Sequence, residues 1–305
     1  MLIATNEPWA TYHVRPLLAE AERRGWQLTQ VVPDKSRIKP GDPVPTATPR
    51  TAPAADLLVV AGADDWPVEV AGRFPKLPLA ASELAYLGPR QAVGAQKLRP
   101  RLRKITAASP AAADAFAGYL GTARGTVTVV GSPQTDDLPE RVPEPGLVLV
   151  LTSVTRPDST GEAAPGTALL LAAAEKLRTA GKRIMVGLHP RENPALWARY
   201  EMSQVPSLNA SARAEATIGI PGTVFPLIAA VGTPLVGCTD PALKVPDHLL
   251  KVCSSTIDDA ALAVSAVANA RLPASETLRD SIGPVGGSAA RLLDVWSRAA
   301  RGDVT

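Results

Sequence analysis

Residues 216–237 read ATIGIPGTVFPLIAAVGTPLVG, and this stretch decides the fold class. The β-branched run 216–220 reads as a short strand. Pro221-Gly222-Thr223 turns the chain, and an apolar helix follows to Ala230. Gly232-Thr233-Pro234 stops that helix before a second strand at 235–237. A strand–turn–helix–strand unit of this kind aims helix-N-terminal amides above Gly222-Thr223. Their partial positive charge favours an anion such as phosphate.

The same rhythm extends in both directions. Toward the N-terminus, 2–5 reads as a strand, 6–13 as a polar loop, 14–24 as a helix capped by Gly25, and 27–32 as the next strand. A right-handed crossover makes those strands parallel. The segment 33–53, rich in Pro, Thr and basic residues, reads as a long surface loop. Strands are expected at 56–61, 77–82, 105–108 and 126–130. Ser109-Pro110 opens a helix to Leu120, with serine as N-cap and proline at the first helical position. LPERVPEPG (138–146) holds three prolines and no apolar period, and reads as a linker. Beyond it come a strand at 147–152, a helix at 167–179, a strand at 183–187, helical 196–200, and terminal helices at 258–270 and 288–300. The expectation is an α/β chain of two Rossmann-like doubly wound domains, 1–137 and 147–305. They would face a central cleft at the carboxyl ends of their sheets, where ligands of such folds bind.

Bulk properties narrow the function class. With 305 residues, 46% hydrophobic and 20% charged, the chain has material for two globular cores. The Ala- and Pro-rich, aromatic-poor composition resembles that of a GC-rich bacterial genome and carries no information on mechanism. A net charge of +3 gives no ground for a nucleic-acid partner. The start lacks a basic segment followed by an apolar one, and no apolar run approaches the ~20 residues of a membrane span. Cys238 and Cys253 lack metal or redox spacing and read as reduced thiols. A cytoplasmic protein is expected.

Several residues fall where chemistry is done. His13 follows the first strand; it suits a general base for a hydroxyl, or else a packing role. His189 and Arg191 follow a strand of the second half and suit phosphate or sugar hydroxyls, against a plain solvated loop. Thr152, Ser153 and Arg156 occupy the first strand–helix turn of that half and suit a diphosphate. GxGxxG and P-loop patterns are absent. Lys97, Arg99, Arg101 and Arg103, with Lys104, form a basic run that reads as a solvated face or as a contact for an acidic acceptor or anionic lipid at the inner face of the membrane. His248 and the pairs Asp64-Asp65, Asp136-Asp137 and Asp258-Asp259 read as surface features, and no metal site is expected.

With these residues in view, the chain resembles the GT-B glycosyltransferase superfamily. HVRPLLAEAERRGWQLTQVVP (13–33) resembles the start of that group, a His-containing turn before a helix, a glycine and a second strand. VGSPQTD (130–136) is similar to the VGxPxxD segment of lipid-A-disaccharide synthases, and 221–237 resembles a nucleotide-sugar signature. Peptidoglycan N-acetylglucosaminyl transferases and UDP-N-acetylglucosamine 2-epimerases carry similar segments. The resemblance implies Gly222 and Thr223 at a donor diphosphate and His13 on the acceptor side. It also implies a ribose-binding Glu four residues after Thr223, where this chain has Leu227.

The function expected is transfer of a sugar from a nucleoside-diphosphate sugar, a UDP-sugar among the candidates, to an acceptor hydroxyl in envelope or polysaccharide synthesis. The donor is a co-substrate, and no cofactor or obligatory metal is implied. Two alternatives remain: a 2-epimerase-like isomerase, and a GT-B scaffold without catalysis.

Overall fold

A computed structural model describes residues 1–86, 91–153, 165–189 and 192–302. The chain divides into two compact units, Met1–Asp137 with Ile282–Thr305, and Leu138–Ser281.

In the first unit, β1 (Leu2–Thr5) leads through two 3-10 turns, Thr11–His13 and Arg15–Leu17, into α1 (Leu18–Arg23). Pro16, which has no N–H to donate, sits in the second turn, so the helix expected from 14 becomes α-helical only at Leu18. Gly25 ends it at φ +70°. Then come β2 (Thr29–Val31), β3 (Thr46–Ala47), β4 (Leu58–Ala61), α2 (Asp65–Arg73), β5 (Leu79–Ser82), β6 (Leu102–Ala107), α3 (Pro110–Leu120) and β7 (Thr128–Val129). Among the described residues they form one parallel sheet in the order β3-β2-β1-β4-β5-β6-β7. The central strands β1, β4 and β5 are buried along their whole length because both faces are covered; Leu58, Val59 and Val60 are wholly buried. Ser109 caps α3 as expected, its Oγ accepting the Ala112 N–H at 3.1 Å.

The second unit repeats the plan with β8 (Glu144–Leu151), α4 (Thr167–Thr179), β9 (Arg183–Gly187), β10 (Glu201–Met202), α5 (Ser207–Arg213), β11 (Ala214–Gly219), α6 (Phe225–Val231), β12 (Leu235–Cys238), α7 (Asp247–Lys251), β13 (Ser255–Ile257), α8 (Ala263–Ala268) and α9 (Ser275–Ile282). Its sheet, again parallel, runs β10-β9-β8-β11-β12-β13. Part of the stretch read as a linker already belongs here. Val142 N–H bonds the Ala212 carbonyl at 2.9 Å, and Gly146 N–H bonds the Glu215 carboxylate at 2.8 Å.

The last helix, α10 (Ser288–Arg301), was expected to close the second half, but 282–305 folds with the first unit. Its apolar stripe explains why. Leu292, Leu293 and Trp296 are fully buried in one cluster with Ile3, Leu57 and Val59. The Trp296 indole N–H donates to Ser82 Oγ at 2.8 Å. Asp136 is exposed, as expected, and also caps the helix: its two carboxylate oxygens accept the N–H groups of Ser288 and Ala289, each at 2.7 Å. His248, also expected at the surface, is only 7% exposed on α7. Its Nε2 has no hydrogen-bond partner, and burial lowers its pKa.

Candidate functional site

Each sheet reverses its strand order once, between β1 and β4 in the first unit and between β8 and β11 in the second. At such a switch point the loops beyond neighbouring strands part, and ligands bind at the carboxyl edge between them. In the second unit these loops begin with Thr152-Ser153 after β8 and Ile220-Pro221-Gly222-Thr223 after β11. The strands close up there because Gly219 has no side chain; a Cβ would lie 2.7 Å from both Leu151 Cβ and its carbonyl oxygen. Gly237 likewise admits Pro221, whose ring would stand 3.1 Å from a Cβ. Gly222 faces open space, with only the Ile220 carbonyl at 3.9 Å.

The turn leaves donors available. Phe225 N–H bonds the Gly222 carbonyl at 3.0 Å, and Pro226 has no N–H. Among the described residues, the N–H groups of Gly222, Thr223 and Val224 meet no acceptor. Three successive amides of this kind suit an anion.

Thr152 ties the neighbouring loop to this edge. Its Oγ1 accepts the His189 backbone N–H at 2.8 Å, and its own N–H reaches the Gly187 carbonyl at 3.3 Å. His189 in turn holds the next turn, its carbonyl accepting Glu192 N–H at 2.9 Å. The buried Glu192 carboxylate accepts the Trp197 indole N–H at 3.2 Å. Thr152, Ser153 and His189 are half-buried. The structure thus joins Thr152 to the His189 backbone and sets Gly222 and Thr223 on the adjoining strand end. Arg156 and Arg191 lie outside the described residues.

Sequence reading passed over Asp240. Its Oδ2 accepts the Gly166 N–H at the start of α4, and its Oδ1 the Ala242 N–H, both at 2.9 Å. A Cβ on Gly166 would lie 3.4 Å from Ile220 and Leu243 side-chain carbons, so the entry to α4 and the loop after β11 share one edge. The Asx turn of Thr239-Asp240-Pro241-Ala242 was visible in the sequence, but its cross-chain partner was not.

In the first unit, His13 ends a 3-10 turn beyond β1, its ring centroid 4.2 Å from that of Tyr12. The residue is half-buried, but its Nδ1 is sealed from solvent without a partner. Desolvation lowers its pKa to about 4, so the imidazole is neutral at pH 7.

The basic run has another occupation. Arg99 donates to the Gly121 carbonyl at 2.9 Å, just past α3. Arg101 donates to the carbonyls of Ala71 and Phe74, at 2.7 and 2.8 Å, at the end of α2. Arg103 reaches the Ala299 carbonyl of α10 at 2.9 Å. Each guanidinium satisfies carbonyls that a helix C-terminus leaves without partners. Lys97 is exposed.

No protein-family profile and no curated protein matches the chain. Solved structures do. The H548A form of the wall teichoic acid polymerase TagF aligns with a TM-score of 0.64 at 7% identity, over 99% of this chain and 89% of that one. The UDP-GlcNAc 2-epimerase of Methanocaldococcus jannaschii aligns at 0.60 and 13% identity, over 97% and 98%. AviGT4, a glycosyltransferase of avilamycin A biosynthesis, aligns at 0.52 and 18%, over 99% and 98%. The chain has the GT-B fold.

Within the GT-B frame, Leu227 is 5% exposed on α6, between the buried Pro226 and Ile228. The position for which the resemblance implies a ribose-binding carboxylate is here part of the core. Among the described residues, no group of three His, Cys, Asp or Glu converges as metal ligands, and no helix is long and apolar enough to cross a membrane.

Proposed function

We propose that the chain transfers a sugar from a nucleoside-diphosphate sugar to an acceptor hydroxyl. The observation that carries this reading is the row of unpartnered N–H groups at Gly222, Thr223 and Val224, at the switch point of the second sheet. These amides hold the diphosphate, with Thr152, Ser153 and His189 on the neighbouring loops and Thr223 Oγ1 as a further donor. Arg156 and Arg191 supply charge to the leaving group. His13, neutral at pH 7, accepts the proton of the acceptor hydroxyl as its oxygen bonds the anomeric carbon. The nucleoside diphosphate departs with the electron pair of the broken bond, and backbone amides stabilise the charge that develops on it. Structural neighbours that handle nucleotide-activated substrates support the donor class: the epimerase was solved with UDP-GlcNAc and UDP, and TagF after soaking with CDPG.

Two other readings have their own support. The epimerase aligns with a higher TM-score than the glycosyltransferase AviGT4, 0.60 against 0.52, which supports an isomerase of the same donor class as a second reading. Leu227 in the core favours a GT-B protein that binds without turnover. Incubation with nucleotide sugars, with and without polyol or glycan acceptors, separates the three. Nucleoside diphosphate released only when acceptor is present supports transfer. An epimer formed without acceptor supports isomerisation, and neither product supports the binding role. Arg99, Arg101 and Arg103 are engaged with backbone carbonyls, so contact with an anionic membrane surface is a separate proposal that falls to the exposed Lys97.

A further inference from the structure

The first unit holds a cavity of about 590 Å³ that no role above uses. Its lining comes from Pro33 beyond β2, residues 48–51 beyond β3, and Trp66, Glu69 and Arg73 along α2, which follows β4. The cavity therefore lies between the loop after β3 and the outer face of α2, reaching the carboxyl ends of β2 and β3. Its size suits a small molecule.

The lining is chemically mixed in an informative way. The Trp66 indole N–H donates to the Val31 carbonyl at 3.1 Å, which pins the ring to the sheet. Trp66, Pro33 and Pro49 contribute the apolar lining. The polar lining comes from Thr48 and Thr51, whose hydroxyls are hydrogen-bonded to each other at 3.1 Å, and from the Glu69–Arg73 ion pair. Arg50 is exposed, and among the described residues its guanidinium has no hydrogen-bond or ion-pair partner. A pyranose ring matches this surface. One face of the ring is a set of C–H groups that stack on indole, and its hydroxyls radiate toward a polar rim. Arg50 adds a fork for a carboxylate or phosphate.

We propose that this cavity binds a saccharide unit carrying a carboxylate or phosphate, with Trp66 as the stacking platform and Arg50 as the partner of the anionic group. Its role as an acceptor-recognition subsite rests on the transferase reading; the binding itself does not.

Titration calorimetry of the full chain with glucuronic acid, glucose 6-phosphate and glucose tests it. The two acids bind, and glucose binds about tenfold more weakly. Arg50→Gln brings the acids down to the level of glucose, and Trp66→Leu loses all three sugars. Arg50 is exposed, so its substitution reads the site even where Trp66→Leu lowers the melting temperature. A preference for one acid names the anionic group. The proposal is overturned if no sugar binds at ~10 mM, if the three bind equally, or if binding survives both substitutions. Melting shifts with nucleotides on the same samples separate the two readings. Sugar binding without a nucleotide shift keeps the cavity and removes the transferase; the reverse does the opposite.

Discussion

Thr152 Oγ1 accepts the backbone N–H of His189 at 2.8 Å, joining the loops that leave β8 and β9. This bond holds the loop carrying His189 at the carboxyl edge of the second sheet. Thr152→Val keeps the shape and removes the acceptor, and destabilises the fold by about 1 kcal/mol. It also weakens donor binding, raising the KM for nucleotide sugar more than it lowers kcat. Thr152→Ser restores both. Denaturant unfolding and steady-state kinetics of the two variants make the check; a Val variant with unchanged KM removes Thr152 from the donor site.

Two glycines of the same unit give opposite outcomes. In Gly219→Ala the new methyl meets Leu151 at 2.7 Å on two atoms, one of them backbone. Overpacking of this kind costs about 1–3 kcal/mol, and the melting temperature falls. Gly222→Ala meets only one atom, at 3.9 Å, and leaves the fold intact. Its methyl enters the space assigned to the diphosphate, so the melting shift with nucleotide shrinks. Equal stability losses in the two variants would contradict this account of the turn.

His13 gives stability a pH dependence of defined sign. Its folded pKa of about 4 lies below the ordinary imidazole value. Between pH 6.5 and 4 the unfolded chain therefore binds a proton that the folded chain does not. Stability falls as pH drops through that window, by up to about 3 kcal/mol from this residue. His248, also lowered by burial, adds a slope of the same sign. His13→Gln removes the His13 share, and urea unfolding at pH 7 and pH 4.5 reads the difference. The proposed transfer reaction predicts in addition that the same variant loses turnover while its nucleotide melting shift persists.

Arg101 is expected to matter for folding rather than for lipid. Arg101→Ala strips the Ala71 and Phe74 carbonyls of charge-assisted bonds, with a loss of about 1–3 kcal/mol. Lys97→Glu, on an exposed side chain, leaves stability unchanged. Sedimentation with phosphatidylglycerol vesicles tests the membrane proposal directly. Binding abolished by Lys97→Glu supports it, and binding that is unchanged or absent dismisses it.

Much of this was legible in the sequence because the signals were local. The 216–237 stretch yielded β11, α6 and β12 to within two residues at each end, since β-branching and glycine punctuation act over short range. Ser109-Pro110 marked the start of α3 for the same reason. What stayed hidden depends on distant partners. The stripe of Leu292, Leu293 and Trp296 announces an amphipathic helix but not which sheet it covers. The arginines at 99, 101 and 103 are one cluster in sequence, yet in space they serve the ends of three different helices. The two-residue strands β3 and β10 are too short to carry a period.

The most direct test of the central claim is the melting temperature of the full chain against UDP-, CDP-, GDP- and dTDP-sugars and their free nucleotides. A ligand at a hundred times its Kd stabilises the fold by about 2.7 kcal/mol. The account predicts an upward shift with one nucleobase class, carried by the diphosphate and reduced in Thr152→Val and Gly222→Ala. No shift with any nucleotide at millimolar concentration would contradict it, and would mean that the amides of Gly222, Thr223 and Val224 serve no donor.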